Sequence, residues 1–267
     1  MDYKKELEFA KKLAQKAGDI MLRYFKAEDI GTVWKEDNTP LTVADTTINR
    51  MVIEEVKKVY PNHGIIGEEE SFCEDREKVW VVDPIDGTMP FSLGIPVSTF
   101  SLALVDRSDG QSVLGVVKDP YQDHIYSAAK DSGAFLNDLS IHTGDYRSLN
   151  KAYISVLGGT NNKTFRPGIA FDLARDSGSK NFSLLSQVYA AVKVASGEFA
   201  GSIFGYGAPW DSAAVSIIVK EAGGEVTDLY GKSRRYDEWG DGCVLASNRT
   251  IMNKLLSIVD KASVKTE

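Results

Sequence analysis

Val79-Trp80-Val81-Val82-Asp83-Pro84-Ile85-Asp86-Gly87-Thr88 carries more structural information than any other stretch of this 267-residue chain. Val79–Val82 has the β-branched and aromatic content of a buried strand, and it runs directly into Asp83. Pro84 fixes its own φ angle and Gly87 relaxes the backbone after the second aspartate, so a tight turn is predicted after Val82. Such a turn can aim the carboxylates of Asp83 and Asp86 the same way and leave the Ile85 carbonyl facing inward as a further oxygen ligand. Thr88 then opens a short helix, where backbone N–H groups receive phosphate well.

Upstream, Ile65-Ile66 forms a short strand candidate that runs into Gly67-Glu68-Glu69-Glu70. Before it, residues 3–26 read as an amphipathic helix with Leu7, Ala10, Ala14, Ala17, Met21 and Tyr24 on one face. Gly31 to Pro40 is a polar loop containing Lys35, and a second helix starts near Asp45 and stops at Pro61-Asn62-His63-Gly64. Downstream, Val97–Val105, Val113–Val117 and His124–Ala128 are strands, the first two joined by a hairpin at Asp106–Gly110. Residues 152–157 are extended, Gly158–Asn162 is a loop, 183–197 is helical and 198–204 is extended. Asp211–Ala222 is a helix stopped by Gly223-Gly224, followed by a strand at Cys243–Ala246 and a closing helix over 248–260. Helices and strands mix around a strand-rich middle, which predicts an α+β or layered α/β fold rather than a simple doubly wound sheet.

With 31 basic and 38 acidic residues the net charge is −7. An acidic chain repels the nucleic-acid backbone, so nucleic-acid polymers are excluded as partners. Cys73 and Cys243 form no CxxC pair, and His63, His124 and His142 follow no ligand spacing, which argues against a zinc site or a histidine triad. The first 26 residues lack the apolar run of a signal peptide, and no apolar stretch is long enough to span a bilayer. A cytoplasmic location without membrane partners is expected.

Three acidic groups stand at strand ends or a helix start: Glu68–Glu70, Asp83 with Asp86, and Asp211. Singly, each has a plainer reading. Asp45 and Asp211 can be helix N-caps, Glu68–Glu70 a solvated turn, and Trp210 a packing residue. Converging in one crevice, the carboxylates would repel one another unless hard divalent cations neutralised them. Their joint occurrence favours that reading.

Gly67-Glu68-Glu69, Asp83-Pro84-Ile85-Asp86-Gly87-Thr88 and Trp210-Asp211-Ser212-Ala213-Ala214 together resemble the motifs of the inositol monophosphatase family. Thr39-Pro40-Leu41-Thr42-Val43-Ala44-Asp45, Gly133-Ala134-Phe135-Leu136-Asn137 and Glu221-Ala222-Gly223-Gly224 extend the likeness over nearly the whole chain. The resemblance implies an αβαβα five-layer sandwich of the inositol monophosphatase/fructose-1,6-bisphosphatase type. It would form one unit over 1–267, with an N-terminal part to about 145 supplying most ligands and a C-terminal part from about 146. It implies a homodimer, sensitivity to lithium, and a Mg2+-dependent phosphomonoesterase acting on a small phosphorylated metabolite.

Two to three Mg2+ ions, replaceable by Mn2+, would be held by Glu68, Asp83, the Ile85 carbonyl, Asp86 and Asp211. Thr88 and Asp45 would orient and deprotonate the attacking water, with Glu68 helping to activate it. Asp86, Gly87 and Thr88 would contact substrate, Glu69 would support the site, and Lys35 would provide a counter-charge. At the family's other substrate positions this chain departs from the pattern: Phe204 stands where an acidic residue binds substrate hydroxyls, and Leu185-Ser186-Gln187 replaces a small Gly-Ser/Thr-Ala segment. Inositol monophosphate is the default substrate. The alternatives are histidinol phosphate, fructose 1,6-bisphosphate and 3′-phosphoadenosine 5′-phosphate, with Arg166, Arg175, Lys180 and Lys193 as candidates for a second phosphate. A catalytically silent metal or phosphometabolite sensor is the rival from another class, opposed by the presence of both Thr88 and Asp45.

Overall fold

The computed structural model describes residues 3–25, 33–34, 40–158 and 165–263. After helix α1 (Lys4–Tyr24), strands β1 (Val33–Trp34) and β2 (Pro40–Leu41) form a small antiparallel pair within the segment expected to be a polar loop. Lys35 lies outside the described residues. Helix α2 (Val43–Val59) leads into a seven-stranded sheet whose spatial order follows the chain: β3 (Gly64–Gly67), β4 (Lys78–Asp86), β5 (Thr99–Asp106), β6 (Gln111–Asp119), β7 (His124–Ala129), β8 (Ala134–Leu136) and β9 (Leu139–Ile141). Only β3 and β4 pair in parallel within it. Helix α3 (Thr88–Ser92) lies between β4 and β5.

The second sheet holds five strands, β10 (Tyr153–Leu157), β11 (Lys180–Phe182), β12 (Gly201–Phe204), β13 (Glu225–Thr227) and β14 (Cys243–Ala246), in the order β11-β10-β12-β14-β13. Its helices are α4 (Pro167–Asp176), α5 (Gln187–Ala195), α6 (Pro209–Glu221) and α7 (Arg249–Ala262).

Three hydrophobic clusters show how these elements stack. Alternation along β4 sends Trp80 and Val82 to one face, against α1 and α2, and Val79 and Val81 to the other, against α5 and α6. Val156, Ile203 and Val244 of the second sheet pack against α4 and α7. The layers are therefore α1/α2, the seven-stranded sheet, α5/α6, the five-stranded sheet and α4/α7. Helix α6 lies between the two sheets, which explains why Asp211 through Val219 are all buried and why its sequence shows no single apolar stripe.

The largest correction to the sequence reading concerns β4. The strand does not end at Val82 but continues to Asp86 across a β-bulge: Asp83 sits opposite Ser101, and Asp86 opposite Thr99. Three steps along β4 match two along β5. In a regular strand, residues three apart face opposite sides; the bulge reverses that parity. Ile85 is thereby buried among the residues packed on α1 and α2, leaving both aspartates to share the other face. Pro84, which has no N–H to give a ladder, is tolerated at such an irregularity.

Other boundaries shift for local reasons. Helix α5 begins at Gln187 rather than 183 because Leu185 adopts a left-handed φ of 57° and the Ser186 hydroxyl caps the helix by accepting from the Tyr189 N–H at 3.1 Å. The β8–β9 hairpin was not predicted, although Asn137-Asp138, both at positive φ (45° and 65°), form the two-residue turn that Asn and Asp favour. Helix α4, β11 and β13 were also unforeseen, and most of the expected Gly158–Asn162 loop lies outside the described residues. Cys73 and Cys243 are both free thiols. No described helix is long and apolar enough to cross a membrane.

Candidate active site

The bulge in β4 presents Asp83 and Asp86 toward the first turn of α6, where Asp211 meets them. One carboxylate oxygen from each of the three lies within 4.8 Å of the others, and all three residues are buried. Asp211 stands three residues after the N-cap, Ala208, and α6 has no side-chain cap bond, so Asp211 is not a capping residue.

Asp86 is the best anchored of the three. Its Oδ2 accepts from the Ser186 hydroxyl, from the Val188 N–H at 3.1 Å and, more distantly, from Thr99 Oγ1 at 3.4 Å; its Oδ1 accepts from the Gln187 N–H at 3.1 Å. The N-terminus of α5 thus grips a carboxylate belonging to the other sheet. Asp83 is the opposite case: its Oδ1 is buried and has no hydrogen-bond partner among the described residues.

Burial drives the electrostatics. It pushes the Asp83 and Asp211 carboxyls well above the ordinary carboxylate range, reinforced in both by the charges of Glu68 and Asp86. Arg234 opposes the shift at Asp211. Asp86 rises to about 6, again through burial, moderated by its bonds from Ser186, Gln187 and Val188. Three buried carboxylates with one orphaned oxygen are costly as they stand. An all-oxygen donor set of this kind fits a hard divalent cation.

Asp45 lies beside this cluster on α2. Its Oδ2 accepts from the Thr42 N–H at 2.8 Å and the Thr42 hydroxyl at 2.6 Å. Asp45 is therefore the third-residue partner of a cap provided by Thr42, not the N-cap itself. Its other oxygen, Oδ1, lies 3.4 Å from Thr88 Oγ1, while the same hydroxyl lies 3.0 Å from the Ile85 carbonyl. Burial raises the Asp45 carboxyl to about 7, with Thr42 opposing and Glu68 and Glu69 reinforcing.

Glu68 follows β3, its backbone N–H donating to the Val82 carbonyl at 3.2 Å. It is not one of the three converging carboxylates, but its charge raises Asp45, Asp83, Asp86 and Asp211 alike. Gly87 stands at a φ of 81°, and a Cβ there would come 3.1 Å from the Leu185 carbonyl and from Ser186 Cβ, so α3 and the start of α5 touch through a glycine.

At the two departing substrate positions, Phe204 is wholly buried in the core between the sheets. Ser186 is also buried, and its hydroxyl is committed to Asp86. Arg166, Arg175 and Lys180 are exposed around α4 and β11, and Lys193 is engaged by the Tyr126 hydroxyl at 3.2 Å and by Glu198 at 3.6 Å. Sequence reasoning missed Thr42, Thr99 and Arg234. The spacing of Thr42 and Asp45 signals a capping pair; Arg234, in an irregular loop, had no comparable signal.

The profile of the inositol monophosphatase family matches residues 2–263. The chain belongs to that family. Among relatives, the histidinol-phosphatase of Chlorobaculum parvum is 31% identical over 262 residues, 95% of this chain and 96% of its own length. The fructose-1,6-bisphosphatase/inositol-1-monophosphatase of Thermotoga maritima is 33% identical over 226 residues, covering 85% and 86%. A solved structure of a Thermotoga maritima IMPase matches with a TM-score of 0.87 at 30% identity, covering 97% of this chain and 98% of that one. As a member of the inositol monophosphatase family, the chain is a phosphoric monoester hydrolase. The family is metal-dependent, in keeping with the donor set of the buried aspartates.

Proposed function

We propose that the chain hydrolyses the phosphate monoester of a small metabolite with Mg2+ held by Asp83, Asp86, Asp211, the Ile85 carbonyl and Glu68. The observation that carries this reading is the meeting of three buried carboxylates, one with an unpartnered oxygen, beside the Thr88–Asp45 pair. Two to three ions, with Mn2+ as a substitute, would neutralise the phosphate and stabilise the charge that develops on it during in-line displacement.

The chain's own residues supply the proton chemistry. Thr42 occupies one oxygen of Asp45 with two hydrogen bonds, which leaves Oδ1 directed at the Thr88 hydroxyl. With a carboxyl raised to about 7, Asp45 is poised to accept a proton near neutral pH. Thr88 orients the attacking water and relays its proton to Asp45. The water oxygen bonds to phosphorus as the bond to the alcohol oxygen breaks, the departing alkoxide takes a proton from solvent, and Asp45 returns the water's proton to solvent. Gly87 and Thr88 offer backbone N–H groups to the phosphate, Glu69 supports Asp45 from outside, and Lys35 is the proposed counter-charge. Inositol monophosphate is the family's default ester; histidinol phosphate, fructose 1,6-bisphosphate and 3′-phosphoadenosine 5′-phosphate are the alternatives. Homodimeric assembly, a cytoplasmic location and inhibition by lithium belong to the same reading.

Phosphate release measured with Mg2+ on these four esters tests it. At least one ester is turned over, and Thr88→Ala lowers kcat by about a hundredfold or more. Binding without release from any of them would favour the sensor. Ser186→Ala probes the grip on Asp86: loss of that hydrogen bond should weaken activation by Mg2+ by about 10- to 100-fold, read from a Mg2+ titration of the rate. An unchanged activation constant would mean that the α5 amides alone hold Asp86 in place.

A further inference from the structure

Trp210 immediately precedes Asp211, and its carbonyl accepts from Ser101 Oγ at 3.4 Å. Ser101 is the β5 residue paired with Asp83, so the backbone of Trp210 is tied to the strand position that carries the carboxylate cluster. The Trp239 ring packs edge-to-face on Trp210, with centroids 5.3 Å apart at 81°, and on Tyr206, 5.8 Å apart at 78°. Trp239 is 60% exposed and Tyr206 40%. An exposed tryptophan between Glu238 and Gly240, in an otherwise polar loop, contributes little to the core. Solvent-facing aromatic surface on a loop beside a reactive centre is the common mark of a binding surface.

The loop is nevertheless firmly placed. The Gly240 N–H donates to the Gly207 carbonyl at 2.9 Å, and a Cβ on Gly207 would come 1.6 Å from the Gly240 oxygen, so the two segments meet backbone to backbone. Buried Arg234 ties them from behind, donating to the Gly207 carbonyl at 3.0 Å and the Gly242 carbonyl at 3.2 Å. Its guanidinium therefore serves the loop that displays Trp239. On the other side of the carboxylates, Leu185, next to the Ser186 that bonds Asp86, adds a further exposed apolar side chain at 44%. A polyol held against such rings would give up water at its hydroxyls without new partners. A flat ring would gain stacking and edge-to-face contacts.

Resting on the phosphomonoesterase reading above, we infer that Tyr206, Trp210 and Trp239 form an aromatic bracket for the alcohol half of the ester, and that the preferred substrates carry a planar aromatic or heteroaromatic ring. The bracket sets specificity and leaves the phosphate chemistry to the carboxylate site.

The test uses the full chain with Mg2+. Rates are compared for ring-bearing esters, adenosine 2′-monophosphate and benzyl phosphate, and for the ring-free ester β-glycerophosphate. The wild type should favour the ring-bearing esters in kcat/KM, and Trp239→Ala should lower that ratio about tenfold while Trp239→Phe retains most of it. Calorimetric binding of benzylphosphonate and methylphosphonate gives a readout independent of turnover. The aromatic ligand should bind about tenfold tighter, and Trp239→Ala should erase the difference. A ratio unmoved by Trp239→Ala, or equal binding of the two phosphonates by the wild type, overturns the bracket. Absence of phosphate release from every ester, with benzylphosphonate still preferred, would overturn the hydrolase reading and leave the bracket standing.

Discussion

Asp83→Asn is expected to abolish phosphate release and at the same time raise the thermal stability of the metal-free protein. The Asp83 carboxylate is buried, its Oδ1 has no hydrogen-bond partner among the described residues, and the charges of Glu68, Asp86, Asp211 and Asp45 all push its carboxyl upward. Removing its negative charge costs Oδ1 no bond from the described residues and relieves several repulsions. The expected gain is on the order of 1 kcal/mol, or a few degrees in Tm for a chain of this size. The proposed cation, by contrast, would lose one of its carboxylate ligands, and a rate loss of about a thousandfold or more follows from the several kcal/mol that such an ion contributes. Calorimetry without metal and a phosphate-release assay with Mg2+ check the two halves. A variant that is less stable and fully active would contradict both.

The opposed signs are informative because Asp86 cannot give them. An asparagine at 86 would have only one acceptor oxygen for donors that now use two, and its NH2 would face the Ser186 hydroxyl with Val188 N–H, or the Gln187 N–H. Asp86→Asn should therefore lose activity and stability together. The two aspartates lie three residues apart in one motif, yet one is held by the protein and the other awaits a ligand.

That difference also marks how far the sequence could be read. The Asp83-to-Thr88 motif announced paired carboxylates because Pro84 and Gly87 are visible signals. It did not announce the bulge, since the pairing of Asp86 with Thr99 depends on where β5 lies. The layered architecture was legible from alternating strands and amphipathic helices. The placement of α6 between the sheets was less so, because a helix buried on all sides has no stripe to reveal its facing. Asp45 looked like a cap from its position, and only the Thr42 bonds show it to be a cap's partner with one oxygen left for Thr88. Phe204 marks the limit of aligning positions without geometry: a residue matched to a substrate-binding acid is instead turned into the core. Tyr206 and Trp239 are 33 residues apart, and no local pattern joins them before the loop folds back.

The stability of the metal-free protein should fall as pH rises from about 5 to 8, and Mg2+ should restore most of what is lost. Asp45 is raised to about 7, Asp86 to about 6, and Asp83 and Asp211 stand well above the ordinary value, burial being the main cause in each. Unfolded, all four titrate near 4. Between these limits the native state binds more protons than the unfolded chain, so unfolding free energy decreases with pH. Asp45 alone, raised from near 4 to about 7, accounts for a loss on the order of 2 to 3 kcal/mol between pH 5 and 8. His63, pushed down by burial, works in the opposite direction below about 6.5, but it is one group against four. The carboxylates lowered by ion pairing or hydrogen bonding, such as Asp106 and Asp237, contribute stability that is lost only as pH falls below about 4. A maximum in Tm near pH 5 follows for the metal-free protein. Mg2+ competes with protons for the same oxygens, so its stabilising effect should be small at pH 5 and large at pH 8. Asp83→Asn should flatten both dependences. Thermal melts in EDTA and in Mg2+ across this range decide the matter: a metal-free Tm that climbs steadily to pH 8, or a Mg2+ effect independent of pH, would show that the buried carboxylates are not where protons and metal exchange.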